Sequence, residues 1–282
     1  MLVLSFLILL GLLGSSFNAQ VQFDIRSTAW LAEQTRLNAA AQAGVIHGLI
    51  QATHPNTTQR WPLDNRPHPF HWQGQSLMIR LQNERGRIDM NLAPRKVFVG
   101  LIQHVLPYAA SEQLADALID WRDTDDRTPQ QGSEIAAYQD AGHPYQPANR
   151  PYIAVTELAN VLGFDQNMVT KLHPYLTVHA RRSRIDASSA DVAVIAALPG
   201  IDISQANQFI AHRERALNHN QTIDFSLLSP AQQFIETQAT SHVFRIQIQI
   251  TQQPEYRIEA VIRSTQTTGY QILHWEILDK GT

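Results

Sequence analysis

The stretch DWRDTDDRTPQQGSE, residues 120–134, places Asp120, Asp123, Asp125, Asp126 and Glu134 close together. Crowded carboxylates repel one another unless positive charge sits among them. Arg122 and Arg127 supply part of that charge, and a divalent cation would supply more. Counted from Asp123, Asp125 is third and Glu134 twelfth, as in an EF-hand loop. Arg127 and Thr128 then fall where that loop needs an oxygen ligand and a glycine, so it is not an EF-hand. A calcium site of another loop shape remains open, because calcium accepts about six to eight hard oxygens in irregular geometry. Its candidate ligands are Asp123, Asp125, Asp126 and Glu134, with backbone carbonyls, Asn149 or water completing the shell. The alternative is a solvated acidic loop neutralised by Arg122 and Arg127.

Other chemistry is thinner. ALPGIDISQANQFI, residues 197–210, has the Leu-Pro-Gly-Ile turn of a helix-hairpin-helix, with Ala206 where the second helix would pack. DNA-binding versions offer backbone amides and a second glycine to phosphate, whereas here Asp202 holds that position and would repel it. A nucleic-acid-binding or uptake protein using this hairpin is therefore the alternative reading, and a small protein-interaction fold the preferred one. His68 and His71 are three residues apart, but no motif brings further zinc ligands to them. No Gly-x-Ser-x-Gly is present, and no nucleophile, base and orienting group can be assembled around the paired carboxylates. The sequence reads as that of a protein without enzymatic activity.

The elements that must carry this loop begin with a greasy segment. MLVLSFLILLGLLGSSF is almost wholly apolar and no charge precedes Asp24, enough for a membrane-spanning helix over residues 1–23. A secretory signal normally has a basic start, which is lacking here. The helical pattern runs on without proline to Pro55, predicting one helix from Leu2 to Ala52 of about 75 Å. Its second half carries a narrow stripe of Ile25, Ala29, Ala32, Ala40, Ala43, Leu49 and Ile50.

Residues 55–69 are rich in Pro, Asn and His and read as a loop. QSLMIRLQ then alternates as a strand, and three more alternating strands follow at the far end, in HVFRIQIQIT, YRIEAVIRS and YQILHWEIL. Short turns between them imply antiparallel hairpins with one buried face, whose natural cover is the long helix. Between the strands the chain reads as short helices, with Ser111, Thr156, Asp165 and Ser188 or Ser189 as candidate caps. Two segments there open alike, RIDMNLAPRKVFVGLI at 87–102 and RIDASSADVAVIAAL at 184–198. The fold class is α+β: a long N-terminal helix packed on an antiparallel sheet, with a large inserted all-helical module. The expected division is 1–23 transmembrane part of that helix, 24–92 the rest of the helix, loop and first strand, 93–240 helical insertion, and 241–282 C-terminal strands.

A net charge of −3 gives no field for nucleic acid, and the absence of cysteine excludes disulfides and thiolate chemistry. With 44% hydrophobic and 17% charged residues the chain is a folded one.

The apolar helix entering a strand-bearing head resembles type IV pilins, and the motif order resembles one branch, the minor pseudopilin K family of the type II (general) secretion system. The residues carrying the resemblance are Gly-Arg-Ile-Asp-Met-Asn at 86–91, LIDWRDTDD, Gly-Ser-Glu at 132–134, Tyr138, Tyr145, and Asn-Arg-Pro at 149–151 before VTELANVLG. Three features depart from it or qualify it. No basic leader ends in Gly, position five is Ser5 rather than the usual pilin Glu (a trait of the K branch), and Ile135 follows Glu134 where an acid is common. The resemblance implies calcium binding, a single-pass inner-membrane protein with a periplasmic head, and a place at the pseudopilus tip. It also implies partners: minor pseudopilins I and J, with H and the major pseudopilin G below them.

Overall fold

The computed structural model describes residues 2–56, 58–123, 135–142, 144–219, 221–237, 242–265 and 269–279. The chain opens with α1, Leu2–Ala52, one uninterrupted helix of 51 residues as its proline-free sequence predicts. Strands β1 (Asp64–Trp72) and β2 (Gln75–Asn83) form a hairpin, after which the chain leaves the sheet. It passes through β3 (Ile88–Asp89), α2 (Arg95–Val105), α3 (Ser111–Arg122), α4 (Ile135–Asp140), α5 (Gln166–Leu172) and β4 (Leu176–Thr177). It continues through β5 (Ile185–Asp186), α6 (Val192–Ala196), α7 (Ile203–Asn218) and β6 (Ile235–Glu236). It then returns as β7 (Val243–Ile250), β8 (Gln253–Thr265) and β9 (Gly269–Asp279), giving an antiparallel sheet in the order β1-β2-β7-β8-β9.

One face of that sheet is buried under the second half of α1. Leu77, Ile79 and Leu81 of β2 alternate inward with Phe244, Ile246, Ile248 and Ile250 of β7 and Ile258, Ala260 and Ile262 of β8. From α1 they meet Leu37, Ala40, Ala41, Val45, Leu49 and Ala52. The buried stripe thus starts only at Leu37 and is rotated from the expected one, leaving Ile25 exposed. Its rotation follows the small residues. A Cβ at Gly48 would stand 3.1 Å from Ile246 and 3.2 Å from Ile79, so two glycines, Gly44 and Gly48, let the helix lie directly on the isoleucines.

Residues 64–69, expected as loop, are strand. Pro67 and Pro69 sit on the outermost strand with exposed side chains, opposite Arg80 and Met78, where a missing N–H costs the ladder nothing. Their prolines masked a strand that tertiary pairing tolerates.

The inserted module has its own apolar core, with Ile88, Phe98, Leu118, Tyr138, Leu172, Ile195 and Phe209 among its most buried members. It is built twice on one plan. Each Arg-Ile-Asp forms a two-residue strand in a parallel pair, β3 with β4 and β5 with β6. In each, the Asp carboxylate accepts an N–H two residues on, Asn91 to Asp89 and Ser188 to Asp186. Each strand is followed by a helix, a Leu-Pro turn at 106–107 or 198–199, and a longer helix. Each longer helix returns one arginine to the carbonyls of the turn after its Arg-Ile-Asp. Arg122 donates to Met90 and Ala93, and Arg213 to Ala187 and Ala190. The resemblance between residues 87–102 and 184–198 is therefore a repeated structural unit. Of the expected caps, Asp165 accepts the Met168 N–H at 2.7 Å. Ser111 does not cap, being the first helical residue of α3, and Asp191 rather than Ser188 or Ser189 caps α6. Thr156 lies inside the short 3-10 helix Val155–Asn160 and not at its cap.

Candidate functional site

Helix α3 delivers the acidic stretch. Asp120 and Trp121 are buried in its last turn, and Asp123 is its C-terminal cap, its N–H bonded to the Ile119 carbonyl at 3.1 Å. Of the four expected calcium ligands, Asp123 is described; Asp125, Asp126 and Glu134 lie outside the described residues, as does Arg127. Among the described residues, no group of three His, Asp or Glu side chains is arranged to hold a metal. Arg122, expected to supply part of the positive charge among the acids, bonds to backbone carbonyls while its charge still acts on Asp123. Its guanidinium reaches the Met90 and Ala93 carbonyls and lies 5.6 Å from the Phe98 ring centroid. Burial works against its charge and lowers its pKa, partly offset by Tyr152, Asp89 and Asp123.

The chain on either side of the stretch, at Arg122 before it and at Tyr152 beyond α4, is tied to the first repeat. Asn91 donates to the Tyr152 carbonyl at 3.0 Å and accepts the Tyr152 N–H at 2.7 Å. The Tyr152 hydroxyl donates to the Leu118 carbonyl at 2.9 Å, and burial pushes that phenol well above its usual range. On the far side Tyr138, wholly buried, accepts the Leu162 N–H at 2.9 Å. Trp121 lies between the two tyrosines, 6.2 and 6.4 Å from their ring centroids. Beside this frame Asn149 takes a left-handed backbone (φ 47°), and its buried Oδ1 has no hydrogen-bond partner among the described residues. Sequence reasoning named Asn149 as an accessory ligand but did not foresee that Asn91 and Tyr152 frame the loop. Their motifs, Arg-Ile-Asp-Met-Asn and Asn-Arg-Pro-Tyr, were the available signal.

The other sequence motifs resolve into structure. Asp202 caps α7, accepting the Gln205 N–H at 2.8 Å while Gln205 Oε1 accepts the Asp202 N–H at 3.1 Å. The hairpin donors that would meet a phosphate thus already serve a carboxylate and an amide, which argues against nucleic-acid binding. His68 stacks on Trp61 at 4.0 Å, and burial lowers its pKa, countered by Asp64. It is part of an aromatic cluster with His47 and Phe70.

A pilin-like helix and sheet interrupted by a doubled helical module is the class of protein this geometry defines. The same fold is found in a chain of the crystal structure of the GspK-GspI-GspJ complex from the enterotoxigenic Escherichia coli type 2 secretion system. The TM-score is 0.61 at 18% identity, covering 89% of this chain and 98% of that one. Residues 79–181 match the family model described as type II secretion system (T2SS), protein K. The chain is also 29% identical over 154 residues to type II secretion system protein K of Pseudomonas aeruginosa. That alignment covers 50% of this chain and 46% of that protein, so the match spans about half the length of the curated relative.

Proposed function

We propose that this chain is a minor pseudopilin of the type II secretion system that caps the tip of the periplasmic pseudopilus and helps initiate its assembly for protein export. The observation that carries this reading is the union of a 51-residue helix, lying by its second half on a five-stranded sheet, with an inserted helical module, in a chain whose residues 79–181 match the protein K family model. Its first half holds the subunit in the inner membrane with the head in the periplasm. Among the described residues no helix is long and apolar enough to cross a membrane, and the side chains at 2, 5, 7–9, 12 and 13 lie outside them. The span is therefore argued from the apolar sequence of residues 1–23.

Partners follow from the related complex, which joins GspK to GspI and GspJ. They are minor pseudopilins I and J, with H and the major pseudopilin G below. The bulk of the module would obstruct a subunit stacked above it, which suits a subunit used once. Copurification of the full chain in detergent with pseudopilins I and J tests the reading. A stoichiometric complex is expected, and crosslinks to this chain spread along the fibre shaft would refute tip placement.

The acidic stretch is proposed as a calcium site held by Asp123, Asp125, Asp126 and Glu134. Hard oxygens are the donor set calcium prefers, and the buried Asn149 Oδ1, without a hydrogen-bond partner among the described residues, is of the same kind. The ion would order the loop, not react. Calorimetry of the full chain should show calcium heats that an Asp123→Ala variant loses. Absence of heat in the parent rejects the site.

A further inference from the structure

Most arginines on this chain are already engaged. Where the module meets the sheet, on the face opposite α1, the contact is a buried ionic seam. There Glu84, fully buried, accepts from the Arg245 guanidinium at 2.6 and 3.0 Å and from the Thr177 hydroxyl. Glu259 pairs with Arg245 and with Arg87 at 3.5 Å, and Arg85 reaches Glu236 at 3.4 Å. Elsewhere Arg66, Arg95 and Arg150 each hold an acid, while Arg122 and Arg213 hold backbone carbonyls.

Three neighbouring arginines are not engaged. Arg181, Arg182 and Arg184 stand on the turn between β4 and β5, which links the two repeats, and all three are exposed. Among the described residues none of their side chains has a hydrogen-bond or ion-pair partner, a state shared only by the isolated Arg26 and Arg257. The turn that carries them is held in place. Arg181 has a left-handed backbone (φ 52°), uncommon for a residue other than glycine, and its N–H donates to the buried Asp89 Oδ2 at 2.7 Å. On either side β4 is paired with β3 and β5 with β6. Beside the turn, Arg184, Gln232, Gln233 and Thr237 line a concavity of about 670 Å³. The acid in that lining, Glu236, is the one Arg85 already holds.

We propose that the 181–184 turn and this concavity dock an acidic peptide segment of another protein, whose carboxylates the three guanidiniums take. Arginine forks meet carboxylates through two parallel hydrogen bonds, and a backbone already fixed loses little freedom on binding. The chain carries a net charge of −3, so the molecule as a whole repels an acidic segment and attracts it where positive charge gathers unpaired. Anionic lipid headgroups match the turn less well. Gly48 packs on Leu81 near the end of β2, where the module departs, and the helix from Asp24 to Gly48 is about 36 Å long. That is several Debye lengths from a bilayer surface at the end of the apolar segment. The distance to lipid rests on residues 1–23 as the membrane span; the carboxylate match holds whether or not the chain acts as a pseudopilin.

Fluorescence anisotropy of a labelled oligoglutamate peptide, titrated with the full chain in uncharged detergent micelles at about 20 mM and about 200 mM salt, reads the docking. The parent should bind at the lower salt and about tenfold more weakly at the higher. Arg181→Gln, Arg182→Gln and Arg184→Gln together should weaken binding about tenfold or more at the lower salt, with the urea midpoint unchanged. Arg26→Gln with Arg257→Gln, which removes the two other unengaged arginines, should bind as the parent does. No binding by the parent, an equal loss in both variants, or a lowered urea midpoint in the triple variant would each overturn the proposal. Displacement of the peptide by phosphatidylglycerol in the micelles or by a single-stranded oligonucleotide, more readily than by unlabelled peptide, would assign the turn to a phosphate ligand and overturn it as well.

Discussion

Asn91 and Tyr152, sixty-one positions apart, hold each other by a pair of opposed hydrogen bonds, side-chain amide to carbonyl at 3.0 Å and peptide N–H to side-chain oxygen at 2.7 Å. An asparagine can serve a peptide's donor and acceptor at once, which makes this a strand-like pairing supplied by one side chain. It fixes the chain some way beyond the acidic stretch, after α4, against the turn that follows the first Arg-Ile-Asp. Arg122, one residue before Asp123, grips the same turn through Met90 and Ala93. The segments on either side of the stretch and α4 are therefore fastened to one short segment, residues 89–93.

Replacing Asn91 by Ala leaves a half-buried donor and acceptor without partners. Each costs about 1–3 kcal/mol, so the urea midpoint of the full chain should fall clearly. Asn91→Asp keeps the acceptor and should fall between the two. If Asn91→Ala matched the parent, the pairing would not be what holds the loop.

The ionic seam predicts a pH dependence of definite sign. Burial alone would raise the Glu84 carboxyl, but Arg245, Arg87 and the Thr177 hydroxyl together hold it at about 2, below its usual 4.5. A depressed acid contributes stability above the unfolded pKa and loses it as pH falls from about 4.5 towards 2, about 3 kcal/mol in order of magnitude. Glu84→Gln should cost about 3–5 kcal/mol at neutral pH, because Arg245 is left buried with one acid instead of two. The variant should also lose most of the parent's decline in stability over that acid range. An unaltered acid profile in Glu84→Gln would show that the decline comes from elsewhere.

How much of this was readable beforehand depends on what kind of signal each feature leaves. α1 was plain, because fifty residues without proline leave only one element open, and β7 to β9 were plain because every second residue is apolar. β1 was lost because Pro67 and Pro69 signal a loop unless one knows the strand is at an edge. Arg122 was half legible: its nearness in sequence to Asp123 does give a charge interaction, but its hydrogen bonds to the Met90 and Ala93 carbonyls leave no mark in the sequence. The seam was invisible: Glu84, Arg87, Arg245 and Glu259 are ordinary surface residues in a sequence, and only the sheet brings them together. The similarity of residues 87–102 and 184–198 was visible as three letters, but its meaning lay in the matched hydrogen bonds.

Those matched bonds make the two repeats comparable by experiment. Arg122 and Arg213 each satisfy two turn carbonyls with a buried guanidinium, and burial lowers the pKa of both. Arg122→Met and Arg213→Met should each cost about 1–3 kcal/mol, since the carbonyls lose charge-assisted donors. Adding calcium should be less effective in stabilising Arg122→Met than Arg213→Met if the first repeat carries the ion. Equal rescue of both by calcium would detach the ion from Arg122 and its loop.

The repeats also press against each other. Gly100, in the middle of α2, faces the end of α6 so closely that an added Cβ would stand 2.2 Å from the Ala197 carbonyl oxygen and 2.9 Å from its carbon. Those are backbone atoms in the turn leading to Leu198 and Pro199, so no side chain can swing aside to make room. Gly100→Ala gains helix propensity of about 1 kcal/mol but must separate two packed helices, which costs about 1–3 kcal/mol or more. The net effect should be a lower melting temperature of the full chain, with exchange protection lost first in α2 and α6. A midpoint equal to or above the parent's would mean that α2 and α6 part without cost, and that the two repeats fold as independent units.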